Sequence, residues 1–87
     1  MAYRVVLRRS AARELANLPP PIRRRVTRAV DALAANPRPL GAKLLREPGG
    51  RWRIRVGDYR VLYRVDDDRV VVVVVRIRHR SIAYRNL

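Results

Sequence analysis

The sequence predicts an α+β domain: an N-terminal strand, then a two-helix hairpin packed on one face of an antiparallel β-sheet of about four strands. Two observations carry this. The first half places apolar residues at helical spacing between proline stops. The second half switches to alternation, broken by glycine and aspartate turns. Tyr3-Arg4-Val5-Val6-Leu7 reads as a short strand. Ser10 stands where a helix N-cap belongs, its hydroxyl able to accept from a free backbone N–H. Ala11, Leu15 and Leu18 form the apolar stripe of a first helix. Pro19, Pro20 and Pro21 end it and open the next, because proline fits the first helical turn. On the second helix Ile22, Val26, Ala29, Val30 and Leu33 share one face, and Arg23, Arg24, Arg25 and Arg28 mostly cover the other. Asn36, Pro37 and Pro39 end it.

Arg51 to Val56 alternates strictly, the pattern of a half-buried strand. Gly57-Asp58 is a two-residue hairpin signal, and Tyr59 to Val65 is the returning strand. Asp66, Asp67 and Asp68 make a second turn before a third strand, Arg69 to Ile77. Its unbroken valines predict an interior position, since an exposed edge of that kind invites aggregation. Ser81 to Leu87 reads as a short helix or an extended tail. Packing the helices on the sheet is expected to bury Trp52, Ile54, Val56, Val61, Tyr63, Val71 and Val73, and to leave Arg53, Arg55, Arg60 and Arg64 on the far face. No repeat or linker interrupts the pattern, so residues 1–87 are expected to form a single domain.

Charge narrows the function classes. Lys plus Arg number 21 and Asp plus Glu 7, a net charge of +14 on 87 residues. Such a field favours a polyanion. All the cations but Lys43 are arginine. A GC-rich genome explains arginine over lysine, but not cations over anions. The chain has no cysteine, which excludes disulfides and thiolate metal sites, and its one histidine makes no zinc site unaided. Neither metal nor cofactor is expected. The run Val70 to Val75 is too short to span a bilayer, and the first residues alternate rather than forming a signal peptide. A cytoplasmic location without a membrane partner is the expectation.

The alternation puts Arg51, Arg53 and Arg55 on one side of their strand, where Arg60 and Arg64 can join them from the paired strand. Seven cations and two anions lie between Lys43 and Arg64, and four arginines and no anion between Arg76 and Arg85. Like charges on adjacent strands repel by roughly 0.2–1 kcal/mol per pair. A fold that accepts this has an anion to bind. Tyr59, Tyr63 and Tyr84 lie nearby in sequence, and aromatic rings beside cations suit stacking on unpaired bases. The plainer reading, a solvated face that keeps a small protein soluble, leaves the shortage of acids unexplained.

The segment Arg51 to Tyr63, its acidic turn, the valine-rich strand and Arg78-His79-Arg80-Ser81-Ile82-Ala83-Tyr84-Arg85 resemble the RelE branch of the RelE/ParE toxin superfamily. The opening strand, Ala12-Arg13-Glu14-Leu15 with Leu18-Pro19, and Asn36-Pro37 with Leu40 match as well, so the likeness covers nearly the whole chain. The closing His-Arg…Tyr-Arg pattern favours RelE over ParE. The resemblance implies a RelE-like fold, metal-free and ribosome-dependent cleavage of messenger RNA, and an antitoxin that wraps the toxin, usually as a heterotetramer. By position it implies that Arg60 binds phosphate, that Arg80 is a second catalytic arginine, that Tyr84 is the C-terminal tyrosine of the site, and that Arg53 and Arg55 lie on the active face. Some members carry lysine at the last two positions. Arginine does not lose its proton, so neither residue here serves as a base.

The chemistry can be argued separately. Cleaving RNA without a metal requires the 2′-hydroxyl to be deprotonated, the adjacent phosphorus attacked in line and the 5′-oxygen protonated as it leaves. Guanidinium groups suit the charge that builds on the phosphoryl oxygens. His79 and Tyr84 are then the candidate proton-transfer or base-stacking groups. Arg60 and Arg80 are assigned to the phosphate. Lys43, Arg46, Arg51, Arg53, Arg55 and Arg78 are expected RNA contacts. Three alternatives stay open: a ParE-like gyrase inhibitor, a non-catalytic RNA-binding module, and a toxin that folds but no longer cleaves. The surplus of positive charge also calls for an acidic companion laid over the sheet.

Overall fold

The computed structural model describes residues 2–83. Strand β1 (Arg4–Leu7) leads into α1 (Arg9–Ala16) and α2 (Pro20–Ala32). Then come β2 (Lys43–Leu44), β3 (Trp52–Val56), β4 (Tyr59–Asp66) and β5 (Val71–His79). The strands form one sheet in the order β1-β5-β4-β3-β2. This is the expected two helices on a sheet, with two additions. A fifth strand, only two residues long, pairs with the start of β3, and β1 joins parallel to β5, so the sheet is mixed. β5 is therefore interior, as its valines require.

The core lies between the helices and one sheet face. Ala11, Leu18, Val26, Val30 and Leu33 meet Ile54, Val56, Val61, Tyr63, Val72, Val74 and Ile77. Fully burying one such aliphatic side chain stabilises by about 1.5–3 kcal/mol. The core side of β5 is thus Val72 and Val74, opposite in phase to the expected Val71 and Val73. A run of valines carries no alternation to read. Its phase is set instead by the turn before it, where Arg69 and Val70 lie outside the strand. Val70 takes φ 56°, unusual for a β-branched residue, and its carbonyl accepts the Arg4 N–H at 2.9 Å. Trp52 is only half-buried, with the Arg38 guanidinium 5.3 Å from its ring centre.

The first helix also starts differently. Its N-cap is Arg8, with no side-chain cap, and Ser10 lies within the first turn. The Ser10 hydroxyl donates to the Val75 carbonyl at 3.2 Å, so it joins helix to sheet rather than capping the helix. Two polar fastenings close the end of the sheet away from the β3–β4 hairpin. Tyr63 is fully buried and its hydroxyl donates to the Pro37 carbonyl at 2.7 Å; burial pushes its pKa up to about 12. Asp67 accepts from Tyr3 at 2.7 Å and from both terminal nitrogens of Arg38 at 3.1 and 2.8 Å. Arg80–Ala83 form a turn. Among the described residues no helix is long and apolar enough to cross a membrane.

Candidate nucleic-acid interface

The face away from the helices is built by register. Gly57 takes φ 58°, which lets the two-residue turn close so that Arg55 stands opposite Arg60. On the next ladder Arg60 stands opposite Arg78. Directly opposed residues project from the same side, with Cβ atoms about 4.5–5.5 Å apart. Arg55, Arg60 and Arg78 therefore form one row across three strands. One pleat away Lys43, Arg53, Leu62 and Arg76 form a second row across four strands. The rows lie two residues apart on every strand; the register slips only beyond the second row, between Leu62 and Tyr63, where Val75 becomes an extra residue on β5.

The face is not uniformly wet. Leu62 is fully buried, and Arg53 is 4% exposed with its Nε lacking a hydrogen-bond partner. An orphaned buried donor of this kind costs free energy unless a ligand satisfies it. Arg53 lines a cleft of about 510 Å³ with Lys43, Arg55 and the apolar residues Ala29, Ala32, Pro39 and Leu40. A second cleft, of about 500 Å³, lies over the other end of the face between Arg8, Arg64, Arg76 and Val75, with Glu47, Pro48 and Arg51 from the loop after β2. Gly49 brings this loop close: a Cβ there would lie 2.9 Å from the Arg64 guanidinium.

The candidate residues separate into groups. Arg53, Arg55, Arg60, Arg78 and Lys43 come together in the two rows. Arg60 folds toward the hairpin carbonyls of Gly57 and Tyr59, at 3.3 and 3.2 Å. Arg80 flanks the same hairpin: its backbone N–H donates to the Asp58 carbonyl at 2.7 Å and its exposed guanidinium lies 3.8 Å from the Asp58 carboxylate. Arg46 is exposed on the loop after β2. Arg51 is 7% exposed and spent on Glu47, whose carboxylate takes its Nε and, at 2.7 Å, a terminal nitrogen. That pairing holds the Glu47 carboxyl below the usual range. Arg51 thus fastens the loop instead of facing solvent. His79 pairs in register with Tyr59, on the helix side, and meets that ring edge-on at 5.5 Å. Its Nδ1 is 2.9 Å from the Ser81 hydroxyl and accepts the Ser81 N–H at 3.2 Å. The histidine is on the face opposite Arg60 and Arg78. Tyr84 lies outside the described residues.

Two participants escaped the sequence reading. Arg76 ends the second row, and Glu14 on α1 reaches the ends of both. Arg76 lies two residues from Arg78, so the strand period could have placed it, whereas Glu14 meets the sheet only through a contact distant in sequence. Among the described residues no group of three or more His, Cys, Asp or Glu could hold a metal ion.

A helix pair thus covers one sheet face of this small domain, and two rows of cations cross the other. The family model described as ParE toxin of type II toxin-antitoxin system, parDE, matches residues 5–84. The chain belongs to this RelE/ParE toxin family. Toxin RelG of Mycobacterium tuberculosis is 41% identical over 86 residues, covering 98% of this chain and 99% of the relative. Toxin RelE of the same organism is 38% identical over 84 residues, 95% of this chain and 87% of the relative. Among solved structures, the toxin-antitoxin complex RelBE2 from M. tuberculosis matches with TM-score 0.81 and 36% identity, covering 93% of this chain and 94% of that one. The RelE branch expected from the closing motif is the one these relatives represent.

Proposed function

We propose that this toxin is a ribosome-dependent endoribonuclease that cleaves messenger RNA through attack of a 2′-oxygen on the adjacent phosphorus. The observation that carries the reading is the row Arg55–Arg60–Arg78, with Arg80 at its hairpin end. Arg60 and Arg78 grip the scissile phosphate, and with Arg80 they stabilise charge as it builds on the phosphoryl oxygens. The 2′-oxygen forms its bond to phosphorus as the bond to the 5′-oxygen breaks. The 2′-proton goes to a base and the 5′-oxygen receives a proton, leaving a 2′,3′-cyclic phosphate and a 5′-hydroxyl.

His79 faces the other way, so the proton-transfer role on the toxin falls to Tyr84, on sequence grounds. His79 instead steadies the turn that carries Arg80, through Ser81. Arg53, Arg55, Lys43 and Arg46 track the RNA beyond the cut. An acidic antitoxin segment laid over the arginine face neutralises it, in keeping with the RelB–RelE complexes among the solved relatives. No cofactor enters this scheme.

The test is induction of wild type, Arg60→Ala, Arg80→Ala and Tyr84→Ala without antitoxin, followed by mapping of message ends on ribosomes. Cuts within codons that vanish in the variants support the nuclease. A DNA-damage response without cuts supports gyrase inhibition instead. RNA binding without turnover supports the non-catalytic module.

A further inference from the structure

β1 stops at Leu7, opposite Val74, while β5 runs on to His79. Beyond that point no strand covers this edge of β5 among the described residues, and α1 lies along it. Two side chains of α1 take over the hydrogen bonding. The Ser10 hydroxyl donates to the Val75 carbonyl at 3.2 Å, and Glu14 Oε1 accepts the Ile77 N–H at 2.9 Å. The second oxygen of Glu14 accepts Arg78 Nε at 3.0 Å and lies 3.6 Å from a terminal nitrogen of Arg76.

Arg76 and Arg78 are the last members of the two cationic rows. They flank the residue whose N–H Glu14 holds. One carboxylate, only 23% exposed, thus fixes the backbone just past the bulge and the side chains on either side of it. A surface ion pair alone would contribute little. The difference here is that one oxygen is anchored to the sheet, so the other presents a fixed partner to each guanidinium.

We propose that Glu14 is a positioning residue for phosphate binding, setting Arg76 and Arg78 in the rows that receive RNA. The proposal rests on the reading of this face as the RNA-cleaving face. It opposes what net charge alone predicts. Removing an acid from a cationic surface should tighten RNA binding, whereas loss of a positioning group slows cleavage.

Glu14→Gln keeps an oxygen for the Ile77 N–H and removes the charge. Glu14→Asp keeps the charge and shortens its reach. Each is compared with wild type by urea unfolding, by binding to a labelled single-stranded RNA, and by single-turnover cleavage on message-loaded ribosomes. Glu14→Gln is expected to unfold near the wild-type midpoint, to bind RNA at least as tightly at low salt, and to cleave about tenfold more slowly at saturating ribosomes. In that background Arg78→Ala should cost less than in wild type, because the two changes remove one interaction. Glu14→Asp should recover part of the rate. Cleavage by Glu14→Gln at the wild-type rate, or equal losses from Arg78→Ala in both backgrounds, overturns the proposal. Should Glu14→Gln unfold, the Asp variant carries the same comparison of backgrounds. If instead Arg60→Ala and Arg78→Ala in otherwise wild-type toxin leave cleavage and RNA affinity intact, the reading of the face fails, and Glu14 falls with it.

Discussion

The opposed faces of Arg60 and His79 allow a sharp test. Arg60 stands between Arg55 and Arg78. Removing its side chain leaves those two separated by two strand spacings, roughly 10 Å, and splits the row at its middle. Loss of one preorganised donor to a developing oxyanion typically slows the chemical step by about 10²–10³. That corresponds to roughly 2.7–4 kcal/mol on the barrier. Arg60→Ala should therefore lose that much in single-turnover cleavage of an end-labelled message on programmed ribosomes. His79→Ala removes an edge-on contact with Tyr59, worth about 1 kcal/mol of stability, and should slow cleavage less than about tenfold. A histidine acting as acid or base would contribute about 10²–10⁴ in rate. Circular dichroism and urea unfolding confirm that both variants fold. A loss of about 10² or more in a folded His79→Ala, or near wild-type cleavage by Arg60→Ala, refutes the assignment by face.

Other expectations concern stability and binding. Tyr63→Phe leaves the Pro37 carbonyl unpaired and should destabilise by about 1–2 kcal/mol in urea with unchanged cleavage by the folded fraction. Glu47 and Asp67 are both held below the ordinary carboxylate range, by hydrogen bonds from Arg51 and Arg38 respectively. Depressed folded-state pKa values give stability that is present above the unfolded values, near 4, and lost as pH falls through the folded ones. The unfolding midpoint should therefore drop below about pH 4, and Glu47→Gln should flatten part of that fall. Gly49→Ala places a methyl group against Arg64 at φ +94°. It should destabilise by about 1 kcal/mol or more, read by urea unfolding. Arg55→Ala should reduce the salt slope of single-stranded RNA binding by about 0.7, the value for one phosphate contact, in a titration from low to moderate salt.

Much of the fold was legible because local signals agreed. The alternation from Arg51 to Val56, the glycine turn and the proline-bounded helices each admit one reading, and Arg53, Arg55 and Arg60 were placed on their face by period alone. The remainder depended on contacts distant in sequence. The parallel docking of β1 leaves no local trace. β2 is too short to show a period. Val71 to Val75 offers no polar residue to mark its phase, so both the core side of β5 and its bulge were hidden. Arg51 has the spacing of an RNA contact, but a glutamate four residues earlier claims it. His79 follows Arg78 directly, and neighbours along a strand necessarily face opposite ways. That rule could have separated the two from the residues alone.

The parallel pairing of β1 with β5 has a consequence for how the toxin comes into being. Among the described residues, the first strand finds its only strand neighbour in the last. Nearly the whole polypeptide must therefore be looped before that contact forms, a topology of high contact order that favours slow folding. During synthesis the opening segment waits without its partner until residues 71–74 emerge. Arg78, carried on that same final strand, joins the arginine row at the end. A chain cut short before β5 can neither finish the sheet nor assemble the site, so toxicity should arise only with the completed product.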